Sequence, residues 1–190
     1  MILPIVAYGD PVLKKKCEEV DSGYPDLSRL IGDMFETMYN AQGVGLAAPQ
    51  VGLSIRLFVI DGTPYDDEES ELKDFKKVFI NAEVLGKGGE DWATGEGCLS
   101  IPDIREEISR PSEITIRYAD ENFREHTETY RGMAARIIQH EYDHIEGRLF
   151  TDYLSPLKKR MLQGRLNAIS KGEIKADYKM RFPKASRKRR

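Results

Sequence analysis

The chain has 190 residues, 40% of them hydrophobic and 32% charged, with a formal net charge of −3. That is enough for one well-buried core and short for two domains, and no run of about 18 apolar residues exists to cross a membrane as a helix. Two cysteines do not make a disulfide framework, and the N-terminus lacks the charged-then-apolar layout of a signal peptide, so a reducing compartment is expected.

In chain order, Leu27, Leu30, Ile31, Met34 and Met38 recur at helical spacing after Pro25-Asp26, with Gly43 as a stop signal. Gly43-Val44-Gly45-Leu46-Ala47-Ala48-Pro49-Gln50 follows. Its glycines either admit a close backbone neighbour or serve a turn. Its glutamine either caps that turn or offers an amide to a ligand. The runs Ile55–Ile60 and Val78–Ile80 are β-branched and aromatic and predict buried strands. Between them Asp66-Asp67-Glu68-Glu69-Ser70-Glu71 marks an acidic insertion, near 62–77, expected as an exposed loop.

In Gly95-Glu96-Gly97-Cys98-Leu99-Ser100 the backbone can turn tightly and bring a thiolate to a metal. A lone cysteine is more often a small buried hydrophobe, however, and Cys17 has no setting that argues otherwise. Ile114, Ile116 and Tyr118 alternate with polar residues, predicting a half-buried strand that ends at Asp120-Glu121-Asn122 and returns as a hairpin over Arg124–Tyr130. His126, in a polar run, is expected as a solvated strand residue.

A helix is predicted from near Gly132, with Met133, Ile137, His140 and His144 on one stripe and Gly147 capping its end. Within it, Gln139-His140-Glu141-Tyr142-Asp143-His144 sets two imidazoles four residues apart, so one helical face can grip a cation while Glu141 serves as general base. A surface helix that merely carries two histidines is the plainer alternative. Ser155-Pro156 opens another helix, to about Ser170, which Gly172 closes. Strict alternation from Ile174 to Phe182 predicts a strand over 173–182. Charge is uneven: residues 171–190 hold nine basic and two acidic residues, against 20 and 30 before them. The tail at 184–190 is expected as a frayed, disordered terminus; attraction to phosphate, in RNA or the ribosome, is its second reading.

Three segments, GVGLAAPQ, EGCLS and QHEYDH, taken in this order and at these separations, resemble the peptide deformylase family; the likeness covers about residues 1–150, including Tyr8-Gly9-Asp10-Pro11 near the start. The resemblance implies one α+β domain over 1–183, with short mixed or antiparallel sheets packed around a central helix that carries the metal motif. It implies one divalent metal on Cys98, His140 and His144, ferrous iron physiologically, with zinc, nickel or cobalt also suited to that donor set. It further implies removal of the formyl group from N-formyl-Met nascent peptides in a bacterial cytoplasm. Glu141, Gln50 and the N–H of Leu99 are the implied catalytic groups, and Gly43, Val44, Gly45, Arg105, Met133 and Ile137 the substrate contacts. Glu96 and Arg110 are implied as a buried pair that holds the cysteine loop. Neither a membrane nor a specific nucleic-acid sequence is an expected partner. A zinc endopeptidase shares the helix motif but needs a third histidine or a glutamate downstream, and none is conspicuous after His144.

Overall fold

The computed structural model describes residues 1–63 and 72–183; the acidic run Asp66–Glu71 and the basic tail 184–190 lie outside the described residues. Among the described residues an antiparallel sheet runs in the order β2 (Gly45–Ala47), β3 (Leu57–Asp61), β4 (Lys76–Cys98), β5 (Ile101–Ala119), β6 (Glu125–Arg131). Helix α1 (Leu27–Asn40) packs on one face and α2 (Gly132–Ile145) on the other. Strand β3 shows why its sequence is a continuous apolar run rather than an alternating one. Leu57 and Val59 join Ile31, Met34 and Met38 of α1, while Phe58 and Ile60 join Ala134, Ala135 and Ile138 of α2. With both faces covered, every residue of β3 is buried.

The α+β class and the central motif helix are as the sequence predicts. Strands β4 and β5 are not short: they span 23 and 19 residues and form one long hairpin. Five glycines between 86 and 97 concealed β4, because glycine weakens any strand pattern. Register shifts at Ile80/Glu83, Val84/Gly86, Gly88/Asp91 and Gly97/Cys98 bend the ribbon, as bulges do. Leu72 and Phe75 are buried, so the stretch after the acidic run re-enters the core instead of continuing the loop expected to 77. Helix α1 ends at Asn40, three residues before Gly43. His126 is not simply solvated: it stacks on Tyr118, and its Nε2 lies 3.0 Å from the Asp120 carboxylate at the hairpin turn.

Gly147 ends α2 in a left-handed conformation (φ +74°), where an added Cβ would stand 2.8 Å from the Lys14 carbonyl oxygen. Helix α3 (Pro156–Lys171) begins as predicted, the Ser155 hydroxyl accepting the Lys158 N–H at 3.3 Å, and ends at Gly172. Its Leu162, Leu166 and Ile169 pack on Ile101, Ile104 and Ile108 of β5. The segment beyond it alternates in burial from Glu173 to Met180, as predicted for a strand. Only β7 (Met180–Arg181) forms a ladder, because its parallel partner β1 (Ile5–Val6) offers two residues.

Candidate metal centre

Helix α2 is buried against strands β2, β3, β5 and β6 of the sheet, and this burial turns a spacing in the sequence into a site. His140 and His144, one turn apart, have ring centroids 5.1 Å apart. Cys98 is the last residue of β4 before the two-residue turn Leu99-Ser100, with Ile101 paired opposite it. The hairpin places its Sγ 3.4 Å from His144 Nε2, and one ligand atom from each of Cys98, His140 and His144 lies within 4.8 Å of the others. A thiolate and two imidazoles suit a borderline or soft divalent ion such as zinc, iron, nickel or cobalt. Burial, then the neighbouring His140, holds His144 well below the ordinary histidine range, in the neutral form a metal requires. Two buried polar atoms here, Glu141 Oε2 and His144 Nδ1, have no hydrogen-bond partner. An unpaired buried carboxylate oxygen is costly in a finished core and is explained where a bound molecule completes the site; His144 Nδ1 is the ring nitrogen opposite the one that faces Cys98, and a metal on the Cys98 side does not account for it.

Glu96 organises the surroundings. Its carboxylate takes a two-pronged contact from Arg110 (2.6 and 2.9 Å), a bond from Arg136 (2.8 Å) and one from His140 Nδ1 (2.9 Å). Burial alone would raise Glu96, but the hydrogen bonds from His140 and Arg110 hold it well below the usual carboxylate range. A histidine whose Nδ1–H is held by a carboxylate presents its other nitrogen in a fixed orientation. Arg110 also binds Asp143 at 2.7 Å, and Asp143 accepts the Tyr153 hydroxyl at 2.9 Å. The Glu96–Arg110 pair expected from the sequence is therefore present within a wider network, of which Arg136, Asp143 and Tyr153 were missed. One signal was available: Arg136 stands among Ala134, Ala135, Ile137 and Ile138, and a charge on a helix destined for the core must be paired. Its guanidinium lies 5.0 Å from the centre of the Trp92 ring and donates to the carbonyls of Ile108 and Trp92.

A cavity of about 400 Å³ opens beside the ligand atoms. It gathers the predicted residues Gly43, Val44, Gly45, Gln50, Cys98, Leu99, Arg105, Met133, Ile137, His140 and Glu141, and adds Gln42, Asp103 and Tyr178, which the sequence did not single out. Glu141 is 4% exposed, and burial pushes its carboxyl up to about 7. Gly45 is glycine for a steric reason: a Cβ there would lie 2.7 Å from the Glu141 carboxyl carbon. A Cβ at Gly43 would likewise meet Leu99 Cδ1 at 2.7 Å. Gln50, 2% exposed, closes the turn with one end of its amide and turns the other toward Cys98. Its side-chain carbonyl accepts the Ala47 N–H at 2.8 Å and so closes the turn Ala48–Val51, which leaves the amide nitrogen 3.5 Å from both Cys98 Sγ and Ser100 Oγ. Arg105 is exposed at the rim, 3.4 Å from the Gly95 carbonyl. Cys17, by contrast, is a buried free thiol in the core.

A family model described as polypeptide deformylase matches residues 2–160. Peptide deformylase of Christiangramia forsetii is 60% identical over the whole of both chains, and that of Flavobacterium johnsoniae 54%, again over the whole of both. Among solved structures, a peptide deformylase from Legionella pneumophila superposes with a TM-score of 0.79 at 37% identity, covering 91% of this chain and 98% of its own. One from Thermotoga maritima gives 0.74 at 40% identity, with 82% and 99% covered. The chain therefore belongs to the polypeptide deformylase family, metal-dependent hydrolases that remove the N-formyl group from nascent peptides.

Proposed function

We propose that in this chain Cys98, His140 and His144 hold one divalent ion, ferrous iron in the cell, and that Glu141 carries the proton as the formamide of an N-formyl-Met nascent peptide is hydrolysed. When bound, such an ion supplies Lewis-acid polarisation and makes water a stronger acid. Glu141 takes a proton from the attacking water and delivers it to the departing amine nitrogen; a carboxyl poised at about 7 exchanges a proton in either direction near neutral pH. The amide of Gln50 and the N–H of Leu99 donate to the oxyanion that forms at the formyl carbon. Met133 and Ile137 line an apolar wall for the methionine side chain. The Gly43-Val44-Gly45 stretch and Arg105 face the peptide main chain, a mode that tolerates many sequences. Three ligand atoms within 4.8 Å of one another, beside a buried carboxylate oxygen with no hydrogen-bond partner, carry this reading. Formate release from N-formyl-Met peptides by the iron, nickel and zinc forms tests it. No formate with any of the three would overturn it.

The basic segment at the C-terminal end supports transient association with the ribosome, the source of the substrate, in a bacterial cytoplasm. No helix among the described residues is long and apolar enough to cross a membrane. Deleting residues 184–190 is expected to weaken co-sedimentation with ribosomes and leave turnover intact; unchanged co-sedimentation would remove the tail from that role.

A further inference from the structure

The turn Leu99-Ser100 carries one of the two proposed oxyanion donors, and two residues joining two strands have little of their own to fix them. Among the described residues, two hydrogen bonds reach the backbone carbonyls of the turn from outside the hairpin. The Tyr8 N–H donates to the Ser100 carbonyl at 2.8 Å, and the Tyr178 hydroxyl donates to the Leu99 carbonyl at 2.7 Å. Both come from one small construction. Tyr8 follows β1 and Tyr178 precedes β7, and these strands are laced together by Ile5 N–H to the Lys179 carbonyl and Ala7 N–H to the Arg181 carbonyl, each 2.9 Å. Tyr178 also forms part of the cavity wall beside Cys98 and Leu99. On its other side Leu99 is confined by Gly43, where not even a Cβ fits.

We infer that Tyr178 is a positioning residue for the reaction: by holding the Leu99 carbonyl it fixes the backbone of the residue whose N–H receives the developing negative charge. The Leu99 N–H and C=O lie in two rigid peptide planes that meet at its Cα through φ and ψ; the Cys98–Ile101 pairing restrains the first plane and the Tyr178 bond the second, so together they limit both dihedrals. An oxyanion donor contributes only when it stands at the correct distance before the charge appears, and a misplacement of about 1 Å can cost about 10² in rate. The C-terminal segment 173–182 thus completes the site from the far end of the sequence. This inference rests on the role proposed above for the Leu99 N–H.

Steady-state kinetics on the metal-loaded full-length chain test it, with Tyr178→Phe compared with wild type and with Gln50→Ala. Phenylalanine keeps the ring in the wall and deletes only the donor. Tyr178→Phe is expected to lower kcat about tenfold and leave KM within about twofold, the pattern of an interaction that matters in the transition state alone. Metal content and Tm should match wild type. An unchanged kcat in Tyr178→Phe while Gln50→Ala is slowed would overturn the inference and leave the deformylase reading standing. A raised KM at constant kcat would make Tyr178 a substrate contact, and a fall in kcat together with metal content or Tm would make it a structural residue; either overturns the positioning role. Absence of formate release by the wild-type chain would sink the deformylase reading and this inference together.

Discussion

Glu141 is buried beside three candidate ligands without being one of them, so it can be changed while the metal site is left alone. Glu141→Gln keeps shape and polarity and removes the proton acceptor. It is expected to retain metal and to lose about 10² to 10⁴ in formate release. Metal analysis beside the assay decides, and near-normal turnover would take Glu141 out of the mechanism. Cys98→Ser replaces a soft thiolate with a weakly acidic hydroxyl and is expected to bind iron less tightly, read as faster loss to a chelator. A variant that holds iron and works like wild type would show that Cys98 is not the third ligand. These residues could be singled out because each lies in a short segment, and only the three segments taken together narrow the alternatives that each leaves open alone. Arg136, Asp143 and Tyr178 were not, because their partners are 40, 33 and 79 residues away in the sequence and only the fold brings them together.

Elements show the same division. Helices α2 and α3 could be read from period, cap and stop signals, since these are local: the Ser155 cap, Gly147 and Gly172 are where the pattern puts them. Gly147→Ala meets both a left-handed backbone and the Lys14 carbonyl, so a loss of about 1–3 kcal/mol in urea unfolding is expected, and a variant as stable as wild type would refute that strain. The β4–β5–β6 sheet was less legible, because glycines and bulges break the period of two. Its strands are joined by side chains the pattern does not reveal. Lys77 on β4 reaches the Glu128 carboxylate on β6 at 2.8 Å and the Tyr130 hydroxyl at 2.9 Å, while Tyr118 on β5 also donates to Glu128. Burial opposes the Glu128 charge, but these hydrogen bonds lower its pKa from the ordinary 4.5 to about 2. A carboxylate depressed by folding stabilises the protein above its unfolded pKa, and that contribution disappears as pH falls from about 4.5 to about 2. Over this window Tm should fall more steeply for wild type than for Glu128→Gln; parallel melting curves would show that Glu128 is not linked to folding.

At the scale of the whole molecule, the cavity sits where α2, the β4–β5 hairpin, the Gly43–Gln50 segment and the C-terminal segment meet, and its shape limits the chemistry. An acetyl group adds a methyl to the confined space beside Cys98 and Glu141 and donates electrons to the carbonyl. N-formyl-Met peptides should therefore be hydrolysed with kcat/KM at least about 10² above their N-acetyl counterparts, and internal peptide bonds should survive prolonged incubation. Comparable constants for the two acyl groups, or internal cuts found by mass spectrometry, would contradict this. The parallel ladder of β1 and β7 has a further consequence, for the order in which the protein is made. Ile5 pairs with Met180, so β1 leaves the ribosome with no partner and waits through 175 more residues of synthesis. At about 5–20 residues per second that wait is roughly 10–35 seconds, during which Ile5 and Val6, both buried in the finished fold, lack their ladder partner. The Tyr178 hydroxyl reaches the Leu99 carbonyl from two residues before β7, so the contact proposed to anchor that turn forms only after the hairpin that carries it has long been made.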